Sequence, residues 1–212
     1  MTLELFARPE REELAAGACV LRGFARSQEA QLRRAVDAIA ERAPFRHMVT
    51  PGGFRMSVAM TNCGDYGWVS SPDGYRYSGT DPIQDAPWPA IPTQMLILAR
   101  DAAAAAGFAG FTPDACLVNR YEPGARLTLH QDKDERDFRE PIVSVSLGVP
   151  ATFLFGGQKR KDRVARVVLE HGDVVVFGGP SRLRYHGVAP LRQALQPFAG
   201  SARINLTLRR AS

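Results

Sequence analysis

The stretch Arg203-Ile204-Asn205-Leu206-Thr207-Leu208-Arg209 decides the fold. Apolar and polar residues alternate along it without a break, the period of a strand whose side chains point to opposite faces in turn. Ile204, Leu206 and Leu208 form a face that belongs to a core. Arg203, Asn205, Thr207 and Arg209 form the other face, which could lie against solvent or line the polar interior of a barrel. The run spans about 20 Å. On an interior face its two guanidinium groups would suit a small dicarboxylate, one cation for each end, with bidentate geometry.

Outward from this run, further short strands are expected at 115–121, 126–130, 142–149, 152–155, 164–169, 173–177 and 183–188. That spacing predicts an antiparallel sandwich or barrel. Two helices are expected before it. Ser27 can cap one that runs to about Glu41 with Leu32, Val36, Ile39 and Ala40 on one face. Another starts near Thr93, after Pro92, and stops at Gly107, with Met95, Leu98, Ala99 and Ala102 as its stripe. Between the helices, residues 45–92 are rich in Gly, Pro, Ser, Thr and aromatics and read as loops and short hairpins, a segment type that usually carries function. The class is therefore α+β, helices first and strands after.

A chain of 212 residues, 45% hydrophobic, is enough for one core, so residues 1–212 are expected to form a single domain. No apolar run is long enough to span a bilayer. Met1 to Arg11 mixes charges among its apolar residues, unlike a secretory leader, so a cytoplasmic protein with no membrane partner is expected. The three cysteines are widely spaced with no Cys-x-x-Cys, which argues against a disulfide framework or thiolate zinc site. The net charge of +5 attracts polyanions, nucleic acid among them. Basic residues concentrate in Gln158-Lys159-Arg160-Lys161-Asp162-Arg163, which serves equally as a charged hairpin tip or a phosphate contact.

His130-Gln131-Asp132 places an imidazole and a carboxylate on one side of an extended segment. His186 follows on another candidate strand. Two histidines and one carboxylate make the facial triad of non-haem iron(II) oxygenases, which leaves coordination positions open. On spacing alone, ordinary half-buried histidines are the stronger account. His47 and His171 lack a carboxylate two residues on. Asn119 and Tyr121 share a strand face and add hydrogen-bonding groups.

Longer runs are more specific. Met48-Val49-Thr50-Pro51-Gly52-Gly53, Met56 to Gly64 (MSVAMTNCG), Asn119-Arg120-Tyr121, Leu129 to Glu135 (LHQDKDE), Ile142 to Gly148 (IVSVSLG), Leu169 to Val176 (LEHGDVVV) and Arg203-Ile204-Asn205-Leu206-Thr207 together resemble the AlkB family of iron(II)- and 2-oxoglutarate-dependent dioxygenases. The resemblance covers about residues 5–209 and is close to the bacterial alkylated-DNA repair member. It implies a double-stranded β-helix (jelly-roll) core at about 113–210 and a nucleotide-recognition lid at about 45–92. It implies iron(II) on His130, Asp132 and His186, with 2-oxoglutarate and O₂ as co-substrates. Arg203, helped by Tyr121, matches the partner of the distal carboxylate of 2-oxoglutarate. Arg209, Asn119 and Asn205 match groups around the carboxylate beside the keto group. Trp68, Tyr75, Tyr77, Asp134 and Arg160 match substrate contacts. Physically, a flipped base can stack between Trp68 and a ligand imidazole, and Asp134 could select the positive charge of a methylated base.

The expected activity is oxidative demethylation of 1-methyladenine and 3-methylcytosine in DNA, single strands preferred, by a monomer that releases formaldehyde and succinate. Alternatives are an RNA or dual-substrate demethylase, a non-catalytic nucleic-acid-binding module, and a protein or small-molecule hydroxylase. Three departures from the family pattern are visible: a short tail after Arg209, the lid sequence around Asp65-Tyr66, and Phe177 where a tryptophan is expected. The first and last are expected to lie away from the chemistry.

Overall fold

A computed structural model of the chain describes residues 9–212. Most of the stretch Met1 to Arg11, and the first residues of the family resemblance, lie outside the described residues. In chain order the elements are β1 (Arg11–Ala15), β2 (Ala18–Leu21), α1 (Glu29–Arg42), β3 (Ala59–Gly64), β4 (Gly67–Ser71), β5 (Gly74–Ser78), β6 (Thr80–Asp81), β7 (Ala86–Pro87) and α2 (Thr93–Ala105), then β8 (Ala115–Tyr121), β9 (Leu127–His130), β10 (Ile142–Gly148), β11 (Ala151–Phe155), β12 (Ala165–Leu169), β13 (Val174–Phe177), β14 (His186–Val188) and β15 (Arg203–Arg209).

A seven-stranded sheet runs β1-β2-β13-β10-β15-β8-β3, and a four-stranded sheet runs β12-β11-β14-β9. The pairings within both are antiparallel. The two sheets face each other as a jelly roll, and the helices cover the outside of the larger one. The alternation of β15 explains this layering. Ile204, Leu206 and Leu208 join Val143, Val145 and Leu147 of β10 and Leu32, Met95 and Leu98 of the helices in one buried cluster. Between the sheets, Ile142, Val175 and Phe177 of the larger sheet pack on Phe153, Phe155, Val167 and Leu169 of the smaller. The polar face of β15 is interior: Arg203 is 1% exposed and Asn205, Thr207 and Arg209 are 6–7% exposed. The solvent-face alternative is excluded.

The helices follow their sequence signals closely. Leu32, Ala35, Val36 and Ile39 are the buried side of α1. Ser27 does not cap it; a short 3₁₀ turn, Arg26–Gln28, leads into the helix without a side-chain cap. α2 ends just before Gly107, whose φ of +94° suits a residue without a Cβ. Among the described residues, no helix is long and apolar enough to cross a membrane.

Three features depart from the expected order. The hairpin β1–β2 precedes α1, so helices do not come first. β2 is inserted beside β13, with Val20 opposite Val175. β3 lies inside the segment read as loops, yet it is an edge strand of the larger sheet, in register with β8 from Ala59↔Arg120 to Gly64↔Ala115. What remains outside the core sheet is the β4–β5 hairpin and the small β6–β7 ladder. β14 starts only at His186, because the chain is still turning at 182–183, just after a 3₁₀ turn at Gly179–Ser181.

Candidate active site

β9 and β14 pair so that His130 lies directly opposite His186, with the register shifting just beyond. The strands approach closely there: a Cβ on Gly187 would sit 2.6 Å from the Leu127 carbonyl oxygen, so only glycine fits between His186 and Val188. The imidazole centroids are 4.5 Å apart. His130 donates Nδ1–H to the Thr128 carbonyl at 2.8 Å, and His186 donates Nδ1–H to the Arg184 carbonyl at 3.0 Å. A carbonyl can only accept, so both rings carry a proton on Nδ1 and leave Nε2 as the nitrogen turned inward. Asp132 completes the group, with Oδ1 3.6 Å from His130 Nε2 and Oδ2 3.5 Å from His186 Nε2.

Burial alone would raise the Asp132 carboxyl, but the Arg209 guanidinium beside it holds it well below the usual carboxylate range. Desolvation and the adjacent His186 push the His130 imidazole down to about 4, which keeps it neutral. Neutral imidazoles and an ionised carboxylate are the forms that bind a metal. The three ligand atoms lie within 4.8 Å of one another, the one such group among the described residues. Metal bonds of about 2.1 Å put facial ligands on the order of 3 Å apart, so closing on an ion needs only small side-chain movements.

β15 supplies the next part of the cleft. Tyr121 and Arg203 are cross-strand partners, as are Asn119 and Asn205. The Arg203 guanidinium lies 5.0 Å above the Tyr121 ring and donates Nη2–H to Ser146 Oγ at 2.9 Å. Its Nε and Nη1 are buried without a hydrogen-bond partner, and so is Asn119 Oδ1. Burial presses the Arg203 guanidinium below its ordinary value, with Tyr121 opposing. An unpaired buried cation is costly, and a carboxylate received bidentately would relieve it. The residues present therefore fit an anionic co-substrate. Arg209, at the other end of β15, is held to Asp132 Oδ2 by Nη2 at 2.7 Å and Nε at 3.1 Å. The two arginines thus divide the cleft, one at the triad and one remote from it. Asn205 is turned to Ser144 Oγ and the Val145 carbonyl, at 2.8 and 2.9 Å.

The opposite wall comes from the β4–β5 hairpin. Trp68 stacks on Tyr75 with centroids 5.4 Å apart and planes at 17°, and Trp68 Nε1–H donates to Asp134 Oδ2 at 2.8 Å. Arg160 reaches the wall from the turn between β11 and β12, its guanidinium 5.9 Å from the Tyr185 ring. One cleft of about 800 Å³ collects the triad, Asn119, Tyr121, Arg203, Asn205, Arg209, Trp68, Tyr75, Asp134 and Arg160. Tyr77 is not on its wall. Its hydroxyl donates to Glu135 Oε1 at 2.8 Å and accepts from Arg209 Nη1 at 3.3 Å, behind the site.

Several residues of the site escape sequence reasoning. Glu135 is buried and lies 3.1 Å from Arg182 and 3.4 Å from Arg209, so it balances the cations behind Asp132. Arg182 also donates to the backbone carbonyls of Asp132 and Glu140. In sequence, Glu135 closes the Leu129–Glu135 run without a role assigned to it, and Arg182 has no motif around it. Phe177 is a correction: it lines the cleft, and its ring is 5.0 Å from that of His186, so this departure touches a proposed ligand.

Comparison with known proteins follows the geometry. Residues 17–209 match the 2OG-Fe(II) oxygenase superfamily. The chain is 57% identical to the alpha-ketoglutarate-dependent dioxygenase AlkB of Salmonella typhimurium over 99% of its own length and 98% of the relative's. It is equally similar, 57% over the same shares of the two chains, to the AlkB of Escherichia coli. The solved structure of OsALKBH1 superposes with a TM-score of 0.81 at 31% identity, over 94% of this chain and 99% of that one. The chain belongs to the 2OG-Fe(II) oxygenase superfamily and, within it, to the AlkB dioxygenases.

Proposed function

We propose that this iron(II)- and 2-oxoglutarate-dependent dioxygenase removes methyl groups from N-alkylated bases, 1-methyladenine and 3-methylcytosine, in single-stranded DNA. The observation that carries the reading is the cleft itself: a two-histidine, one-carboxylate triad and a stacked indole hydrogen-bonded to a carboxylate share its walls. An aromatic face suits a flat heterocycle, and the Asp134 carboxylate suits one that methylation has made cationic. Arg55, Arg126, Lys133 and Arg160 contribute positive charge to the cleft, in keeping with a phosphate backbone at its mouth.

His130, Asp132 and His186 would hold the iron, and Arg203 with Tyr121 the distal carboxylate of 2-oxoglutarate. When bound, these groups supply the activation of O₂ and the oxidation that turns an N-methyl group into formaldehyde, with succinate and CO₂ as the other products. The chain's own residues bind, orient and shield. The two Nδ1–H bonds to backbone carbonyls aim both imidazoles. Ser146 fixes one nitrogen of Arg203, leaving Nε and Nη1 as unspent donors for a carboxylate. Burial, against the opposing pull of Arg203, pushes the Tyr121 hydroxyl up to about 12, so it stays a hydrogen-bond donor at working pH. Arg209 holds Asp132, and Phe153 and Phe177 cover the His186 ring against water. Trp68 and Asp134 receive the base. The chain acts as a monomer in the cytoplasm, with residues 45–92, apart from β3, as the lid over the base.

Matched DNA and RNA oligonucleotides, each bearing one 1-methyladenine, test the reading through formaldehyde release. The expected result is turnover of single-stranded DNA faster than of the same sequence in a duplex, where a pair must first be broken. Faster turnover of the RNA would transfer the activity to RNA, and no formaldehyde from either would refute it.

A further inference from the structure

Asn62 lies on β3, a strand of the core sheet, opposite Leu117, and is fully buried. Within the strand it shares a side with Met60, which packs with Leu117 and Tyr121 around the cleft, whereas Cys63 belongs to the helix-side cluster. The Asn62 side chain makes two bonds to a single residue outside the sheet. Its Nδ2–H donates to the Trp68 carbonyl at 3.0 Å, and its Oδ1 accepts the Trp68 backbone N–H at 3.0 Å. An amide side chain can present donor and acceptor side by side in this way and so act as one rung of a sheet ladder. Gly67 fixes the approach on the other side, since a Cβ there would lie 2.4 Å from the Trp88 ring.

We infer that Asn62 is a positioning residue for substrate: it clamps the Trp68 backbone and so sets where the indole meets the base and where Nε1–H holds Asp134. The inference deepens the proposed function and rests on the stacking of the base on Trp68. Trp68 stands on a hairpin outside the core sheet, so its place is set by whatever fixes its backbone to that sheet. A 0%-exposed amide on a core strand, spending both its polar atoms on that one residue, does this.

The chain's two tryptophans make the clamp observable. Trp68 Nε1–H is bonded to Asp134, and Trp88 Nε1–H to the Ser78 carbonyl at 2.9 Å. In the ¹⁵N–¹H spectrum of the full chain, Asn62→Ala is expected to shift the Trp68 indole N–H and reduce its protection from exchange, with Trp88, whose ring lies against Gly67, following to a lesser degree and the backbone amides of β10 and β15 unmoved. General loosening of the fold would move the β10 and β15 amides as well and overturn the inference. Asn62→Asp turns a carboxylate oxygen on the Trp68 carbonyl where the amide donated, and is expected to shift the same Trp68 signal at least as far.

The kinetic counterpart is a rise of roughly tenfold in KM for a 1-methyladenine oligonucleotide, the scale of two lost hydrogen bonds, without a change in KM for 2-oxoglutarate. In a Trp68→Ala background the same substitution is expected to add less than twofold, because Asn62 acts through Trp68. A full tenfold addition there overturns the inference. An unaltered KM in Trp68→Ala alone would overturn the stacking reading beneath it. An altered KM in Trp68→Ala with an unaltered one in Asn62→Ala would overturn the inference and leave that reading standing.

Discussion

Arg203 shows how much one residue's surroundings can say. It is a buried cation whose Nε and Nη1 have no partner, a cost that a visiting anion would relieve. Replacing it should therefore damage co-substrate binding far more than the fold. Arg203→Ala is expected to raise the KM for 2-oxoglutarate by about two orders of magnitude, the scale of a lost charge-assisted bidentate pair; succinate formation against 2-oxoglutarate concentration measures it, and an unchanged KM would remove Arg203 from that site. Tyr121 beneath it gives a pH prediction. Burial raises its hydroxyl from an ordinary 10 to about 12, so folding favours the protonated form. That stability is complete below pH 10 and is lost as pH climbs toward 12, because the unfolded chain ionises first. Urea unfolding should lose stability with rising pH more steeply in the native chain than in Tyr121→Phe, and parallel curves would contradict this. Little at this scale was legible from single residues. The pairing of His130 with Asp132 follows from their spacing, but His186 joins them through a cross-strand register that spacing does not contain. Glu135, Arg182 and Asn62 act through neighbours distant in sequence, and a local pattern carries no trace of such partners.

Elements were legible where their period was long or their punctuation strong. β15 has the expected bounds because seven residues of alternation outweigh any competing signal, and β8 has them as a short apolar run carried on to Tyr121. β2 is four apolar residues between turns, too few to separate from a helix fragment, and its strand character comes from pairing with β13. β3 was hidden among glycines and prolines, since Thr61 and Asn62 place polar groups in a buried strand. Thr61 spends its hydroxyl on the Ala43 carbonyl at the end of α1, which is why a polar residue is tolerated there. The lid is tied to this strand by Arg46, which bridges to Met60 and pairs with Asp81 at 2.6 and 2.5 Å while lying 5.3 Å from the Trp88 ring. Burial would raise the Asp81 carboxyl, but Arg46 and the Ile83 N–H hold it below its ordinary value. Asp81→Asn leaves Arg46 largely buried and unpaired, which should cost roughly 3 kcal/mol. Hydrogen exchange should quicken in β4 to β7 and stay unchanged in β10 and β15; uniform acceleration would show that the clasp serves the whole fold instead.

At the scale of the molecule, two facing sheets create an interior that must be filled, and this chain fills one part with Phe, Val and Ile and the other with charge. The charged part is confined to the inner face of β15, the end of β9 and the start of β14, where the sheets splay into the cleft. The helices keep the larger sheet rigid from outside, so the site is built mainly on strands and the base-facing wall on a hairpin clasped to them. Sandwich class and strand order of magnitude were readable from periodicity; which strands neighbour which was not, since register is settled by packing between sheets. The most direct test of the central claim is anaerobic reconstitution with iron(II), followed by admission of O₂ with 2-oxoglutarate and a single-stranded 1-methyladenine oligonucleotide, and simultaneous measurement of succinate and formaldehyde. Equal amounts of the two products from the methylated strand, no formaldehyde from its unmethylated twin, and neither product from His130→Ala are expected. Formaldehyde release that persists in His130→Ala, or succinate from the native enzyme with no formaldehyde on any methylated strand, would contradict it.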